Sequence, residues 1–377
     1  MGWCRNHSKL HKIFKKQSIS WFMRTQIQIA PSLLGISDSN MLEAKVKELD
    51  TAGADLFHID VMDGVFVPTR TLYLNPHVTR DIRQWTKKDL DVHLMVQNPA
   101  EHIGGFISAG ADIVTIHAEA DGDKIQLLQD IKQRHVRAGI ALNPATEFDE
   151  NIMAYCREAD MILFMTVVPG KGGQGYIETV NEKIKTARRL FPDKDIQVDG
   201  GVKVENAHTA ITAGANILVS GTGILLQKDY KKVMDKMREA ILIGSDHAGY
   251  ELKEAVKAWF VEQKKACIDV GTYTRDSCDY PVYAKKIAEA IQREDAHYGI
   301  LICGTGQGMS MAANRFGVRA ALVMNEDMAS MATKHNDAHV LCLGAKYTTA
   351  EQAQKYITAW MAASYEGGRH QRRLDMF

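Results

Sequence analysis

The stretch Phe57-His58-Ile59-Asp60-Val61-Met62-Asp63-Gly64 sets a histidine and a carboxylate two residues apart. Read as a β-strand running into a turn, it places His58, Asp60 and Met62 on one face, because successive strand side chains point to opposite faces. Burying such a pair is costly without a compensating partner. An isolated His-x-Asp reads as a hydrogen-bonded core histidine beside a capping aspartate. This one is not isolated. Asp91-Val92-His93-Leu94-Met95-Val96 repeats the device one strand later, with His93 and Met95 sharing a face. Ile196-Gln197-Val198-Asp199-Gly200-Gly201 offers another carboxylate at another strand end. Two histidines and two aspartates from three strand ends are the donor set of a metal site.

Elements must hold these residues in place, and the composition allows them. At about 150 residues per domain, 377 residues predict two or three domains. Hydrophobic content of 45% and charged content of 24% are those of a globular protein. Lys plus Arg equals Asp plus Glu, at 46 each, so no global field recruits nucleic acid or anionic membrane. No apolar run reaches the roughly 20 residues of a membrane span. The six cysteines include no Cys-x-x-Cys pair, which points to a reducing cytoplasm rather than a disulfide or zinc-finger framework. Residues 1–22 carry Arg5, Lys9, Lys12, Lys15 and Lys16 without an acidic residue. A transit peptide has that composition, but Met23 stands just before the first strand. Residues 1–25 are therefore expected to be a basic, disordered extension outside the fold.

From residue 26, strand and helix patterns alternate eight times. The expected strands are Gln28–Leu33, Leu56–Val61, Leu90–Val96, Ile113–Ala118, Ala138–Leu142, Met161–Val167, Ile196–Asp199 and Ile217–Ser220. Several are nearly continuous apolar runs, as in parallel sheets covered on both faces. Asn40 is the expected cap of the first helix, with Glu43 three residues on and Gly53 beyond its end. Ala-Gly-Ala recurs at 52–54, 109–111 and 213–215, each time just before a strand, as a tight helix-to-strand turn. Eight such units over 26–238 predict a (β/α)8 TIM barrel, with its chemistry at the carboxyl ends of the strands. His58, Asp60, His93 and Asp199 all sit at such ends. Three glycine-bearing loops share that rim: Pro169-Gly170-Lys171-Gly172-Gly173-Gln174, Gly200-Gly201 and Gly221-Thr222-Gly223. Such loops let backbone N–H groups approach an anion, and those after strands seven and eight suit a phosphate.

Taken together, His58-x-Asp60-x-Met62-Asp63-Gly64 with Phe66-Val67-Pro68, His93-Leu94-Met95, Met165-Thr166-Val167 and Val198-Asp199-Gly200-Gly201 resemble the ribulose-phosphate 3-epimerase family. The resemblance implies one divalent metal held by His58, Asp60, His93 and Asp199. It also implies that Asp60 and Asp199 act as acid and base on opposite faces of the sugar. Inverting a carbon beside a ketone needs that pair, and a metal on the ketone and hydroxyl oxygens would stabilise the enediolate between the two proton transfers. Met62, Met95 and Met165 would wall the intermediate with polarizable surface, or serve as barrel packing. Ser32 matches a substrate-contacting serine of the family. Histidine and aspartate ligands suit zinc, iron(II), manganese or cobalt alike. Two positions depart from the family pattern: Lys171 stands where an aromatic is usual, and the stretch from Thr69 to Pro76 lacks the common asparagine-then-Gly-Pro. Relatives act on six-carbon ketose phosphates such as allulose 6-phosphate, which stay open as substrates.

A fresh strand begins at Ile241, and 239–377 alternate again. One strand is expected from Ile241, ended by Asp246-His247, and others at Ala266–Val270, Gly299–Cys303, Ala320–Met324 and Val340–Leu343. Helices are expected at Glu251–Gln263, Val282–Arg293, after Gly308, near Met328–Thr333 and at Ala350–Ala363. That pattern predicts a Rossmann-like αβα open parallel sheet with its site at the strand ends. Cys303 ends a strand and Gly304-Thr305-Gly306-Gln307-Gly308 leads into a helix, whose N-terminus favours a thiolate. Cys267 and Cys342 read as buried small hydrophobes. No full dinucleotide fingerprint is present.

With Asp246-His247, Asp279-Tyr280-Pro281, His335-Asn336-Asp337 and Gly367-Gly368-Arg369-His370-Gln371-Arg372-Arg373, residues 240–377 resemble type B ribose-5-phosphate isomerase. The resemblance implies Cys303 as base between carbons 1 and 2 and His335 as the acid that opens the ring. It places Asp246, His247, Tyr280 and Asn336 around the substrate. The amides of Gly304, Thr305, Gly306, Gln307 and Gly308 would hold the enediolate oxygens. Arg369 and Arg373 would bind phosphate, partly across a dimer interface, and no cofactor is needed. Lys346 stands where an arginine is common. The expected protein is a bifunctional pentose-phosphate isomerase and epimerase, a homo-oligomer acting on small sugar phosphates without nucleic-acid or membrane partners. The same two reactions on allose and allulose 6-phosphates are the alternative. A barrel lyase would want a lysine at a strand end beside the metal ligands, and a non-catalytic sugar-phosphate scaffold would have lost acid–base groups; neither condition is met.

Overall fold

The computed structural model describes residues 25–36, 38–170 and 173–376. The basic segment up to residue 24, and Lys171 and Gly172 of the sixth loop, lie outside the described residues. Thr25, assigned to the extension, is instead buried, and its hydroxyl donates to Asp295 Oδ2 at 2.6 Å.

Eight parallel strands follow: β1 (Gln28–Pro31), β2 (Leu56–Met62), β3 (Asp89–Met95), β4 (Ile113–His117), β5 (Arg137–Leu142), β6 (Met161–Met165), β7 (Asp195–Asp199) and β8 (Ile217–Ser220). Each pairs with its neighbour in the order β1-β8-β7-β6-β5-β4-β3-β2. A parallel bridge between Ser32 and His58 brings the two ends of the sheet together and closes the barrel. Outward residues such as Phe57, Ile59, Val61, Val92 and Leu94 pack on helix residues including Leu42, Val46 and Leu49. Both faces of β2 are therefore buried along its whole length. Inward, Ala30, Leu56, Ile113, Met161, Ile217 and Val219 form an apolar plug. The polar side chains stand above it, one strand repeat closer to the mouth. His58 and Asp60 follow Leu56 on the same face, so the plug seals them from the barrel floor.

The first helix, Ser39–Thr51, is capped by Asp38, whose carboxylate accepts from Asn40 N; Asn40 lies inside the helix rather than at its cap. An aspartate side chain competes well for that first-turn amide. Gly53, Gly110 and Gly214 of the three Ala-Gly-Ala turns all have positive φ, of 95°, 100° and 119°. A Cβ at Gly214 would stand 2.7 Å from Arg188 Cβ, so the turn is closed to larger residues on two counts.

The barrel's last helix, Tyr230–Arg238, ends two residues before β9 (Ala240–Ser245) begins. With β10 (Ala266–Asp269), β11 (Gly299–Cys303), β12 (Ala320–Leu322) and β13 (Val340–Gly344) it makes a parallel sheet in the order β10-β9-β11-β13-β12. Helices Tyr250–Glu262 and Ala350–Ala362 cover one face through Val256, Phe260, Tyr356 and Trp360. Helices Tyr280–Gln292 and Gln307–Arg315 cover the other through Ala284, Ile287, Met309 and Ala313. The order turns back between β9 and β11, and open sheets of this kind bind ligands in the crevice at that point. A short helix, Arg369–Leu374, was not foreseen. Edge strand β10 meets barrel helix Ala207–Ala213, where the Cys267 amide donates to Thr212 Oγ1 at 3.2 Å. No helix among the described residues is long and apolar enough to cross a membrane.

Candidate active sites

Four side-chain atoms converge above the barrel plug. His58 Nε2 lies 3.2 Å from His93 Nδ1, 3.5 Å from Asp60 Oδ1 and 3.7 Å from Asp199 Oδ2. His93 Nδ1 lies 3.7 Å from each of the same two carboxylate oxygens. Metal bonds of about 2.0–2.1 Å in a tetrahedron set ligand atoms about 3.4 Å apart. The observed edges match that figure, so the donor set fits a divalent ion. His58, Asp60 and His93 are buried, while the Asp199 side chain keeps 13% of its surface open to the mouth.

The electrostatics split the two carboxyls. Burial alone would raise Asp60, but the neighbouring His58 charge and hydrogen bonds from His58 and His93 hold it well below the usual range. Burial, then the charge of Asp60, pushes Asp199 up to about 7. Two carboxyl groups driven apart in this way can serve as base and acid at one pH. Burial works against charge on His58, yet Asp91 and Asp60 hold its pKa well above the ordinary value. Ser32 Oγ donates to Asp60 Oδ2 at 2.6 Å and also caps the turn after β1. Buried Tyr73 holds that turn, its hydroxyl donating to the carbonyls of Leu33 and Ile36.

Over the cluster opens a cavity of about 210 Å³. Ser32, Met62, Met95 and Met165 line it with Asp60 and Asp199. Gly170 and Gly173, Gly200 and Gly201, and Gly221 with Thr222 form the rest of its rim, so three glycine-bearing loops do share one opening. At Gly201 φ is +68°, and a Cβ would lie 2.7 Å from Tyr176 N; only glycine lets the two loops meet this closely.

Several partners of these residues went unnoticed in the sequence. Asp91 Oδ2 accepts from His58 Nδ1 and from Gln197 Nε2, both at 2.8 Å, while Thr115 donates to its other oxygen. This aims His58 Nε2 at the cluster. Asp91 stands two residues before His93, and that alternation was the available signal. His117 and Glu119 extend the chain of contacts beyond His93. Burial pushes His117 down to about 4, leaving it neutral.

In the second sheet, Asp246 follows β9 and Cys303 ends β11, side by side at the carboxyl edge. The Asp246 amide donates to Ile302 O at 3.1 Å, and its carboxylate caps the next turn by accepting from Gly249 N. His247 is exposed beside it, and its Nδ1 accepts from Cys278 N. Cys303 Sγ accepts from Gly306 N at 3.1 Å, an amide of the loop turned onto the sulfur. Gly306 has φ of +76°, and a Cβ there would lie 2.5 Å from Leu322 Cδ1. Gly304, Thr305, Gln307 and Gly308 complete this loop; the ring of Tyr280 lies against Gly308, and Lys346 N donates to Gly304 O at 3.0 Å. By contrast, burial drives the thiols of Cys267 and Cys342 well above their ordinary range, as suits core packing.

His335 and Asn336 do not join them. They end helix Glu326–Asn336, which leads into the start of β13, whereas Cys303 pairs with the last residue of that strand. Four residue steps at about 3.3 Å each put roughly 13 Å between the two ends of that strand, far beyond proton-transfer reach. Within one chain, His335 and Asn336 therefore do not share a cluster with Cys303. At the amino edge, the His335 ring stacks on His370 with centroids 4.1 Å apart. Arg369 and Arg373 stand one turn apart on helix Arg369–Leu374. Glu366 lies 3.8 Å from both histidines. Arg369 Nε donates to His370 Nε2 at 3.2 Å, so that nitrogen is already engaged, and two arginines beside the stacked rings suit an anion.

A parallel barrel holding two carboxyls within one donor tetrad is joined to an open sheet with a cysteine at its switch point, an arrangement that suits an isomerase. Comparison with known proteins agrees. The model of the Ribulose-phosphate 3 epimerase family matches residues 28–225, and that of Ribose/Galactose Isomerase matches 241–377. Ribulose-phosphate 3-epimerase of Bacillus subtilis is 42% identical over 217 residues, 56% of this chain and 98% of the relative. That of Escherichia coli is 39% identical over 222 residues, 57% and 96% of the two chains. Among solved structures, ribose 5-phosphate isomerase of Thermotoga maritima is 45% identical, covering 37% of this chain and 96% of that one, with a TM-score of 0.36. The Clostridium thermocellum ribose-5-phosphate isomerase B is 41% identical, covering 36% and 93%, with a TM-score of 0.36. The chain belongs to the ribulose-phosphate 3-epimerase family through its barrel, with a ribose/galactose isomerase part following it.

Proposed function

We propose that the barrel interconverts ribulose 5-phosphate and xylulose 5-phosphate, and that the second domain interconverts ribose 5-phosphate and ribulose 5-phosphate. The observation that carries the first reaction is the pair of carboxyls, Asp60 and Asp199, brought into one donor tetrad with His58 and His93. Asp60, oriented by Ser32, takes the carbon-3 proton from one face. Asp199 returns a proton to the other. A zinc, iron(II), manganese or cobalt ion held by His58, Asp60, His93 and Asp199 would polarise the sugar's ketone and hydroxyl oxygens. Met62, Met95 and Met165 exclude water from the reacting carbon, and the glycine rim receives the phosphate. The boundary between the two units is placed between residues 238 and 239, and five free cysteines among the described residues suit a reducing cytoplasm.

Stripping metal from the whole protein with a strong chelator is expected to abolish epimerisation and leave isomerisation within about twofold. One equivalent of a divalent ion should then restore the first activity. Rates of both reactions in the same sample check this; an epimerase unaffected by complete metal removal would overturn the metal assignment.

For isomerisation, Cys303 moves the proton between carbons 1 and 2, with the loop amides on the substrate oxygens and Asp246, His247 and Tyr280 around it. The acid and the phosphate clamp lie at the other edge of the sheet, so the site is completed by a second copy. His335, Asn336, Arg369 and Arg373 of the partner subunit face Cys303 across a homodimer. Subunit complementation tests this. Cys303→Ala and His335→Ala proteins are each expected to be inactive as isomerases. After subunit exchange, half the dimers are mixed and each holds one intact site, so about one quarter of the wild-type rate should return. Verified exchange without recovery would place all the groups in one chain.

A further inference from the structure

Strand β4 ends on a histidine that neither proposed reaction uses. His117 is fully buried, with Phe66 tilted over its ring at 4.9 Å. Both its nitrogens are engaged: Nε2 lies 2.8 Å from His93 Nε2, and Nδ1 lies 3.1 Å from Glu119 Oε2. Glu119 is itself held from the next loop, its other oxygen accepting from Asn143 N at 2.9 Å and from the Thr146 hydroxyl. Two imidazole nitrogens at 2.8 Å need one proton between them. His93 faces the donor tetrad with Nδ1, so coordination through that atom leaves its proton on Nε2. His117 Nε2 is then the acceptor, and the His117 proton sits on Nδ1, donated to the Glu119 carboxylate. One assignment satisfies every atom in the row.

We infer that Glu119 is a positioning residue for the barrel metal, acting through His117 to hold His93 as an Nδ1 ligand. The inference rests on the metal reading proposed above. It makes the two histidine ligands unlike: His58 is oriented by the Asp91 carboxylate directly, His93 by a carboxylate one imidazole away. Such outer partners set ring orientation and ligand basicity, and losing one typically costs 10–100-fold in metal affinity.

Cobalt(II) binding to the chelator-stripped, full-length protein tests it, read by competition with a chromophoric chelator and by the visible absorption of the bound ion. His117→Phe, which removes the acceptor for His93 while filling its space, should weaken cobalt binding about 10–100-fold and shift the spectrum. Glu119→Ala should shift both in the same direction. Because the two residues act in series, the double variant should lose no more than His117→Phe alone. Glu119→Gln keeps an acceptor for His117 and should stay within about threefold of wild type, guarding against a fold defect in the others. Wild-type affinity and spectrum in both single variants would overturn the inference. So would a double variant losing the product of the two single effects, the pattern of independent structural contributions. Failure of the wild-type protein to bind cobalt would instead sink the metal reading beneath it.

Discussion

Asp199→Asn is expected to lower the epimerase turnover by about 10³-fold or more while isomerisation by the same chain stays within about twofold. Asparagine matches aspartate in shape, so the glycine rim and the methionine wall are undisturbed. What it lacks is a carboxyl that can hold and release a proton, and a negative oxygen for a divalent ion. Asp199 is the member of the pair whose pKa is driven up, by burial first and the Asp60 charge second. Removing it leaves Asp60 able to abstract a proton with nothing opposite to return one. Separate initial-rate assays for the two reactions check the outcome. The isomerase rate is the internal control for folding and concentration. Undiminished epimerisation would contradict the two-carboxyl mechanism.

Cys303→Ala is expected to do the reverse: isomerisation falls about 10³-fold or more, and epimerisation is unchanged. Cys303 is 5% exposed at the end of β11, and its sulfur takes the Gly306 amide at 3.1 Å. The substitution removes one atom from a small site and leaves the loop backbone, already fixed by the positive φ of Gly306, in place. A stability change is therefore a poor explanation for lost activity here. Cys303→Ser should fall nearly as far, because a hydroxyl ionises much less readily than a thiol. Isomerase activity surviving in the alanine variant would remove the thiolate from the account.

The barrel was legible because a parallel sheet covered by helices leaves a plain trace: short apolar runs, each followed by a helical period and a glycine turn. His58, Asp60, His93 and Asp199 were legible for the same reason, since alternation along a strand fixes which side chains face inward. Asp91 was not read, because a charge near a strand's start passes for a turn residue until His58 is seen against it. His117 was not read either; one histidine in an apolar strand usually fills core, and only the register of β4 on β3 brings it to His93. Helix Arg369–Leu374 is too short to show a period, and it buries only His370 and Leu374. The separation of Cys303 from His335 follows from which end of a strand each residue adjoins. Motifs put both in one site, but the pairing of Cys303 with Gly344 puts them at opposite edges. That separation is the ground for proposing that a second subunit completes the site.

One chain is expected to carry ribose 5-phosphate through ribulose 5-phosphate to xylulose 5-phosphate. Carbon NMR of the purified protein with ribose 5-phosphate, with and without a strong chelator, tests it most directly. Both ketose phosphates should appear without chelator, and only ribulose 5-phosphate with it. Ribose 5-phosphate left untouched while allose 6-phosphate is converted would contradict the pentose assignment and move both sites to six-carbon substrates.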